Sequence, residues 1–285
     1  DELRHVMDAY TAAERWGAPV VHDHTVTGPV WAQIHARIPV VTTNHGPFDE
    51  PLRTIYSRLA PTTPLIAISQ HQASTAGDIP IARVIHHGLD TSRIEAGAGD
   101  GGYVAFLGRM NPAKGVHTAI EVARAAGMPL KIAAKMREPL EIEYFRTRVE
   151  PLLGGDIEYV GEVGPVDKAT LLRDAVCLLN PIEWPEPFGM VMIESLAAGT
   201  PVVTTPWGSA PEIVTDGRDG FLCRTHAELV DALGRVDELD RTACRRTVEQ
   251  RFTMQRLARD HDAAYRAVLH AADAEAAELN ELLSA

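Results

Sequence analysis

Cysteine is scarce in this chain: Cys177, Cys223 and Cys244 stand far apart, form no CxxC pair and are odd in number. They exclude a disulfide framework, and a reducing cytoplasm is the expected compartment. Positive charge is in short supply too. Lys and Arg number 27 against 39 Asp and Glu, a formal net charge of −12, which argues against sequence-independent nucleic-acid binding because little basic surface is left to displace counterions. No apolar run approaches the roughly 18 residues of a membrane span. No basic segment followed by an apolar one marks a signal peptide, so none is expected. The phosphate-binding pattern GxxxxGK[ST] is missing, and so is the strand with a glycine turn that normally opens a doubly wound lobe. The chain begins instead on the helix-like "ELRHVMDAYTAAERWG", which predicts a first lobe that is either truncated or unusually small.

What is present points to an α/β protein. The 285 residues, 45% hydrophobic and 23% charged, suffice for one large or two medium domains with a good-sized core. Short β-rich runs ("PVVHDH", "PVVTTN", "PLIAIS", "ARVIHHG", "YVAFLGR", "LKIAAK", "IEYVGEV", "AVCLLNP", "PVVTTP") alternate with stretches at helical spacing such as "GVHTAIEVARAAG". Apolar strands separated by helices predict parallel sheets covered on both faces. The polar, glycine-rich "LDTSRIEAGAGDGG" separates two strand–helix series. The expected organisation is a lobe over 1–95, a second over 101–252, and a helical segment over 253–285 that packs back toward the first.

Two stretches carry candidate chemistry. In "YVAFLGRMNPAKGVHTAIEVA" a strand is expected to end at Gly108, a loop carries Arg109 and Lys114, and a helix follows Gly115. Two cations among small residues in a βα loop suit a phosphate or diphosphate; the same loop also suits an ordinary turn with solvated charges. In "EWPEPFGMVMIESLAAGTPVV" the carboxylates Glu186 and Glu194 are eight positions apart. A helix expected over 188–198 places Glu194 roughly 9 Å along the axis from its start, with the N–H groups of Phe188, Gly189 and Met190 forming an anion site. That separation is too long for a metal pair. A glycosidase pair, with carboxyls roughly 5–9.5 Å apart, would leave the anion site without a purpose. An anion at the helix start with a hydroxyl-rich group on each side uses every feature. A nucleoside diphosphate sugar has that shape, with Glu186 toward the sugar, Glu194 toward the ribose, and Arg109 and Lys114 supplying localised positive charge.

With "FLGRMNPAKG", "EPFGMVMIESLAAGTPVV" and "PEIVTDGRDGFL" in that order, the chain resembles the family 4 retaining glycosyltransferases of GT-B fold, whose E-x7-E signature Glu186 and Glu194 match. The resemblance covers nearly the whole chain. Within the family it looks closest to bacterial members of oligosaccharide-antibiotic pathways. "VIHHGLD" stands where "PNGVD" is usual, and "WGSAPEIV" replaces a double-glycine turn, so that Gly208 is kept and Ser209 departs. The resemblance implies two Rossmann-like lobes facing across a cleft, 1–95 on the acceptor side and 101–252 binding the donor. It implies that Arg109 and Lys114 hold the diphosphate and stabilise the leaving group, and that Glu186 binds the sugar and Glu194 the ribose. Gly108 and the backbone at Phe188, Gly189 and Met190 would line the donor site, Val163 would contact the base and Lys135 flank it. His45 in "TTNHGPF" would face the reacting sugar. The implied reaction transfers a sugar from a UDP- or GDP-sugar to an acceptor hydroxyl with retention, by front-face attack, without metal or other cofactor.

Other motifs are set aside. His22 and His24 of "HDH" have no third ligand at metal spacing, and His24 is a candidate acceptor-side residue. "DHD" at 260–262 lies on a helix, where residues two apart diverge. Ser69 has no GxSxG context. A nucleotide-sugar binding protein without turnover is the alternative from another class. An epimerase or phosphorylase on the same fold is a third reading, for which no acid/base pair or cofactor lysine is evident.

Overall fold

A computed structural model divides the chain into two compact units, Asp1–His86 with Gln255–Ala285, and His87–Met254. The structure describes residues 1–35 and 38–284.

The first unit opens on helix α1 (Glu2–Trp16), followed by β1 (Val21–Asp23), α2 (Thr27–His35), β2 (Val40–Thr43), α3 (Glu50–Leu59), β3 (Leu65–Ala67), α4 (Gln70–Ser74) and β4 (Ile81–Val84). The four strands form one parallel sheet in the order β1-β2-β3-β4. Ser69 is the N-cap of α4, its hydroxyl accepting from the Gln72 N–H at 2.9 Å, a structural duty that accounts for a serine there. The buried Gln72 amide then accepts from Ile68 N and donates to the carbonyls of Asn44 and Gly46, so it fixes the loop that carries His45.

The second unit contains β5 (Val104–Arg109), α5 (Val116–Ala126), β6 (Leu130–Lys135), α6 (Pro139–Tyr144), β7 (Ile157–Gly161), α7 (Pro165–Asp174), β8 (Leu178–Asn180), α8 (Met190–Ala197), β9 (Val202–Thr204), α9 (Ala210–Ile213), β10 (Gly220–Leu222), α10 (His226–Leu233) and α11 (Arg241–Arg251). Helix α12 (Met254–Ser284) then returns to the first unit from Gln255 onward. The parallel sheet runs β10-β9-β8-β5-β6-β7. Its centre is apolar: Val104, Phe106, Leu130, Ile132 and Leu179 are fully buried in one cluster with Ile120 and Val203. Each such large side chain contributes about 1.5–3 kcal/mol by leaving water.

Each of the nine expected runs overlaps a strand, and β10 is a tenth that was not expected, because it opens on Gly220 directly after the polar "DGRD", which breaks up its apolar run. Strand β5 extends one residue past Gly108 to include Arg109. Helix α8 begins at Met190, two residues later than expected, because Gly189 takes up the left-handed conformation at φ 79° and becomes its N-cap.

Arg241 is the chief polar fastening of the second unit. Its guanidinium donates to the carbonyls of Gly97, Arg173, Ala175 and Val176 and to the Thr200 hydroxyl, at 2.7–3.2 Å. Burial pushes its pKa below the ordinary arginine value. Replacement by Lys keeps the charge but not the planar fork. Arg241→Lys is therefore expected to lower stability by about 2–4 kcal/mol, read as a fall in the denaturant midpoint at unchanged slope.

Candidate functional site

Topology selects the place. In the second sheet the chain runs from β5 outward through β6 and β7, then crosses back to β8 on the other side of β5. The carboxyl ends of β5 and β8 flank this reversal, the position at which open α/β sheets bind ligands. The loops leaving these two strands touch. Gly115, at φ 71°, lies so close to Pro181 that a Cβ would sit 2.0 Å from its carbonyl oxygen. The Glu183 N–H donates to the Ala113 carbonyl at 2.9 Å.

That contact brings the functional side chains together. The Lys114 ammonium, carried on a single 3-10 turn capped by Asn111, is ion-paired with Glu186 Oε2. The Trp184 indole N–H donates to the same oxygen at 3.0 Å, and Lys114 Nζ lies 5.0 Å from the Trp184 ring centre. Glu186 Oε1 has no protein donor among the described residues and remains available as an acceptor. The Glu186 stem also reaches the start of α8: a Cβ on Gly189 would stand 3.5 Å from Glu186 Cγ. Gly189 and Met190 thus do stand at the helix start, but Phe188 lies outside the helix. Its ring is buried, edge-on to His87 and Phe252 at 5.0 and 6.0 Å.

A third loop locks this arrangement. Gly208, at φ 60°, presses against Glu186, where a Cβ would lie 2.2 Å from the carbonyl oxygen. The Ser209 N–H donates to the Glu186 carbonyl at 3.0 Å, and the Ser209 hydroxyl donates to the Phe188 carbonyl at 2.5 Å. The serine that departs from the double-glycine pattern is thus a backbone fastener, and its hydroxyl does what a glycine could not.

Arg109 and Glu194 have partners that sequence reading missed. Arg109 donates from Nε and Nη2 to Glu141 Oε1 at 2.8 and 2.7 Å. The Glu141 carboxyl is held below its ordinary pKa, first by the Arg137 N–H and then by Glu138 N–H and Arg109. Glu194 Oε1 accepts from Lys168 Nζ at 2.6 Å. Lys168 lies 26 residues upstream on α7, and no local pattern could have pointed to it. Lys135 ends β6 as the ladder partner of Arg109. Val163 lies in the loop after β7 and packs against the cluster of Tyr103, Ala105, Ala133 and Leu171. The exposed Glu183 accepts from Thr118 Oγ1 at 2.6 Å.

The first unit holds its own polar cluster at the ends of β1 and β2. His24 Nδ1 and His45 Nε2 are 2.8 Å apart, one ring donating to the other. His22 meets Tyr265 OH and Thr43 Oγ1 at 2.8 and 2.7 Å, and its ring centre lies 4.1 Å from His24 and 5.1 Å from His261. Asp23 between them is structural, its carboxylate accepting from Tyr10, Thr25 N–H and Thr25 Oγ1. Asp260 and Asp262, the acids of "DHD", pair separately with Arg256 and Arg266, whereas the histidine between them joins the cluster across more than two hundred residues. Among the described residues no three His, Cys, Asp or Glu side chains are placed to hold a metal ion.

Burial lowers the pKa of His22 to about 3 and also lowers those of His24 and His45, each further depressed by neighbouring histidines. At neutral pH His22, His24 and His45 are neutral donors and acceptors suited to hydroxyls. An unfolded His22 takes up a proton near pH 6.5, a folded one only near 3, so its contribution to stability is present above 6.5 and is lost progressively below it. His22→Gln is expected to flatten the loss of stability between pH 6.5 and about 4. Denaturant midpoints measured across that range check it.

The D-inositol 3-phosphate glycosyltransferase of Streptomyces avermitilis is 26% identical over 264 residues, covering 76% of this chain and 52% of that protein. The chain spans about half the length of the curated relatives it matches. HepE of Anabaena, solved in complex with UDP and glucose, superposes with a TM-score of 0.77 at 21% identity, over 91% of this chain and 80% of that one. AviGT4, a glycosyltransferase involved in avilamycin A biosynthesis, gives 0.66 at 24% identity over 88% and 75%. These likenesses establish the GT-B fold, two α/β lobes with parallel sheets. Residues 90–250, more than half of the chain, match the family described as Glycosyl transferases group 1, and the chain belongs to that family.

Proposed function

We propose that the chain is a retaining, family 4 glycosyltransferase. It moves a sugar from a UDP- or GDP-sugar to the hydroxyl of a saccharide, lipid or natural product, in the cytoplasm and without a metal. The observation that carries this reading is the convergence of Lys114 and Glu186 at the start of α8. A cation and the first free N–H groups of a helix meet a diphosphate there, and a carboxylate with one open oxygen meets sugar hydroxyls. Glu194 Oε2, opposite the oxygen bound by Lys168, takes the ribose hydroxyls. HepE has been solved in complex with UDP-glucose, which supports a nucleotide-sugar donor. The three buried, unpaired cysteines suit a reducing compartment.

In the proposed reaction the bond between the anomeric carbon and the diphosphate oxygen breaks while the acceptor oxygen bonds to the same face of that carbon. The acceptor proton passes to the departing phosphate. No enzyme nucleophile takes part, so Arg109, Lys114 and the α8 N-terminus act by positioning and by stabilising negative charge on the leaving group. Neutral His45 faces the reacting sugar and neutral His24 the acceptor, both as hydrogen-bonding groups.

Titration calorimetry with UDP and GDP should show binding that Glu194→Ala weakens about ten- to hundredfold. Turnover should survive excess EDTA, and proton NMR of the first-formed product should show the anomeric configuration of the donor. No binding of either nucleotide, or an inverted product, overturns the reading.

A further inference from the structure

Resting on the reading of Arg109 as a diphosphate ligand, we propose that Glu141 is the residue that positions it. Arg109 closes β5 with its side chain half exposed, whereas the Glu141 side chain beneath it is only 3% exposed. Both carboxylate oxygens are committed. Oε2 accepts from the Arg137 and Glu138 N–H groups at 2.9 and 3.1 Å, and Oε1 from Arg109 Nε and Nη2. A carboxylate anchored on the backbone at one oxygen cannot swing, so the guanidinium edge bound to the other is fixed as well. The opposite edge, with Nη1, stays free for an anion.

Helix capping does not account for this arrangement. Of the bonds to the Glu141 carboxylate, the capping box of α6 accounts only for that from the Glu138 N–H; those from Arg137 N–H and Arg109 lie outside it. Nor does the neighbouring cation compete, because Arg137 is engaged by both oxygens of Glu162 at 3.1 and 2.7 Å. An arginine side chain carries about 2 kcal/mol of rotamer entropy, and its ordering is already complete here before any anion arrives.

Glu141→Gln separates positioning from structure. An amide can present its oxygen to the backbone donors or to Arg109, and its NH2 then opposes the other. The test compares Glu141→Gln, Arg109→Met and the double variant with wild type for UDP and for uridine, which lacks the diphosphate. Glu141→Gln should lose about tenfold in UDP affinity, leave uridine affinity unchanged, and add nothing in the Arg109→Met background. Equal loss for uridine, full UDP affinity, or additive loss in the double variant overturns the proposal while leaving the donor-site reading intact. A wild type that binds neither UDP nor GDP overturns both; one that binds only GDP is tested in the same way with GDP and guanosine. A second measurement needs no variant: in nitrogen-15 spectra of the ligand-free wild type the Arg109 Nε–H should exchange slowly with solvent, and fast exchange overturns the proposal even if Glu141→Gln fails to fold.

Discussion

Everything at the candidate site depends on one close approach of backbone to backbone. The loops leaving β5 and β8 pass so tightly that a Cβ on Gly115 would lie 2.0 Å from the Pro181 carbonyl oxygen. The left-handed conformation of Gly115 is what turns the chain from the strand into α5 at that point. Only because the loops meet there does a lysine from one lie against a glutamate from the other. The hydrogen bond from Glu183 to Ala113 and the clasp of Gly208 and Ser209 on Glu186 hold the same crossing from two further sides. Rigid backbone thus places flexible side chains, and the chemistry is carried by loops on a sheet whose central strands are largely buried.

The site is also a chain of ion pairs. Lys114 is matched with Glu186, Lys168 with Glu194 and Arg109 with Glu141. Such pairing fixes long side chains in one geometry and leaves one oxygen or one guanidinium edge of each pair directed outward. The two units divide the chemistry by charge: ionised pairs in the second, neutral imidazoles in the first.

Much of the fold was legible, because parallel strands buried on both faces read as apolar runs; nine of ten stood out, and β10 did not because it opens on Gly220 after the polar "DGRD". The candidate site was legible as far as its loops. Arg109, Lys114, Glu186 and Gly189 could be named because βα loops and helix starts leave local signatures. The helix start itself was misplaced by two residues, since Pro187 suits a first helical turn and Gly189 overrode that preference by acting as the cap. Glu141, Lys168 and His261 were not legible. Each reaches its partner through the tertiary fold, over separations of 32, 26 and 239 positions in the sequence, and no periodicity encodes such a meeting. Ser209 looked like an imperfection of a motif, and its hydroxyl turns out to close the loop on Phe188.

The pairing of every anion-site cation has a kinetic consequence. A chain with net charge −12 repels a nucleoside diphosphate at distances beyond about 10 Å, the screening length at moderate salt. Cations already neutralised by Glu141, Glu186 and Glu194 present no compensating patch to draw it in. Capture of the anion is then a short-range event governed by fit, and added salt should speed encounter by screening the repulsion. The usual slowing seen when a basic funnel steers a charged ligand has no counterpart here.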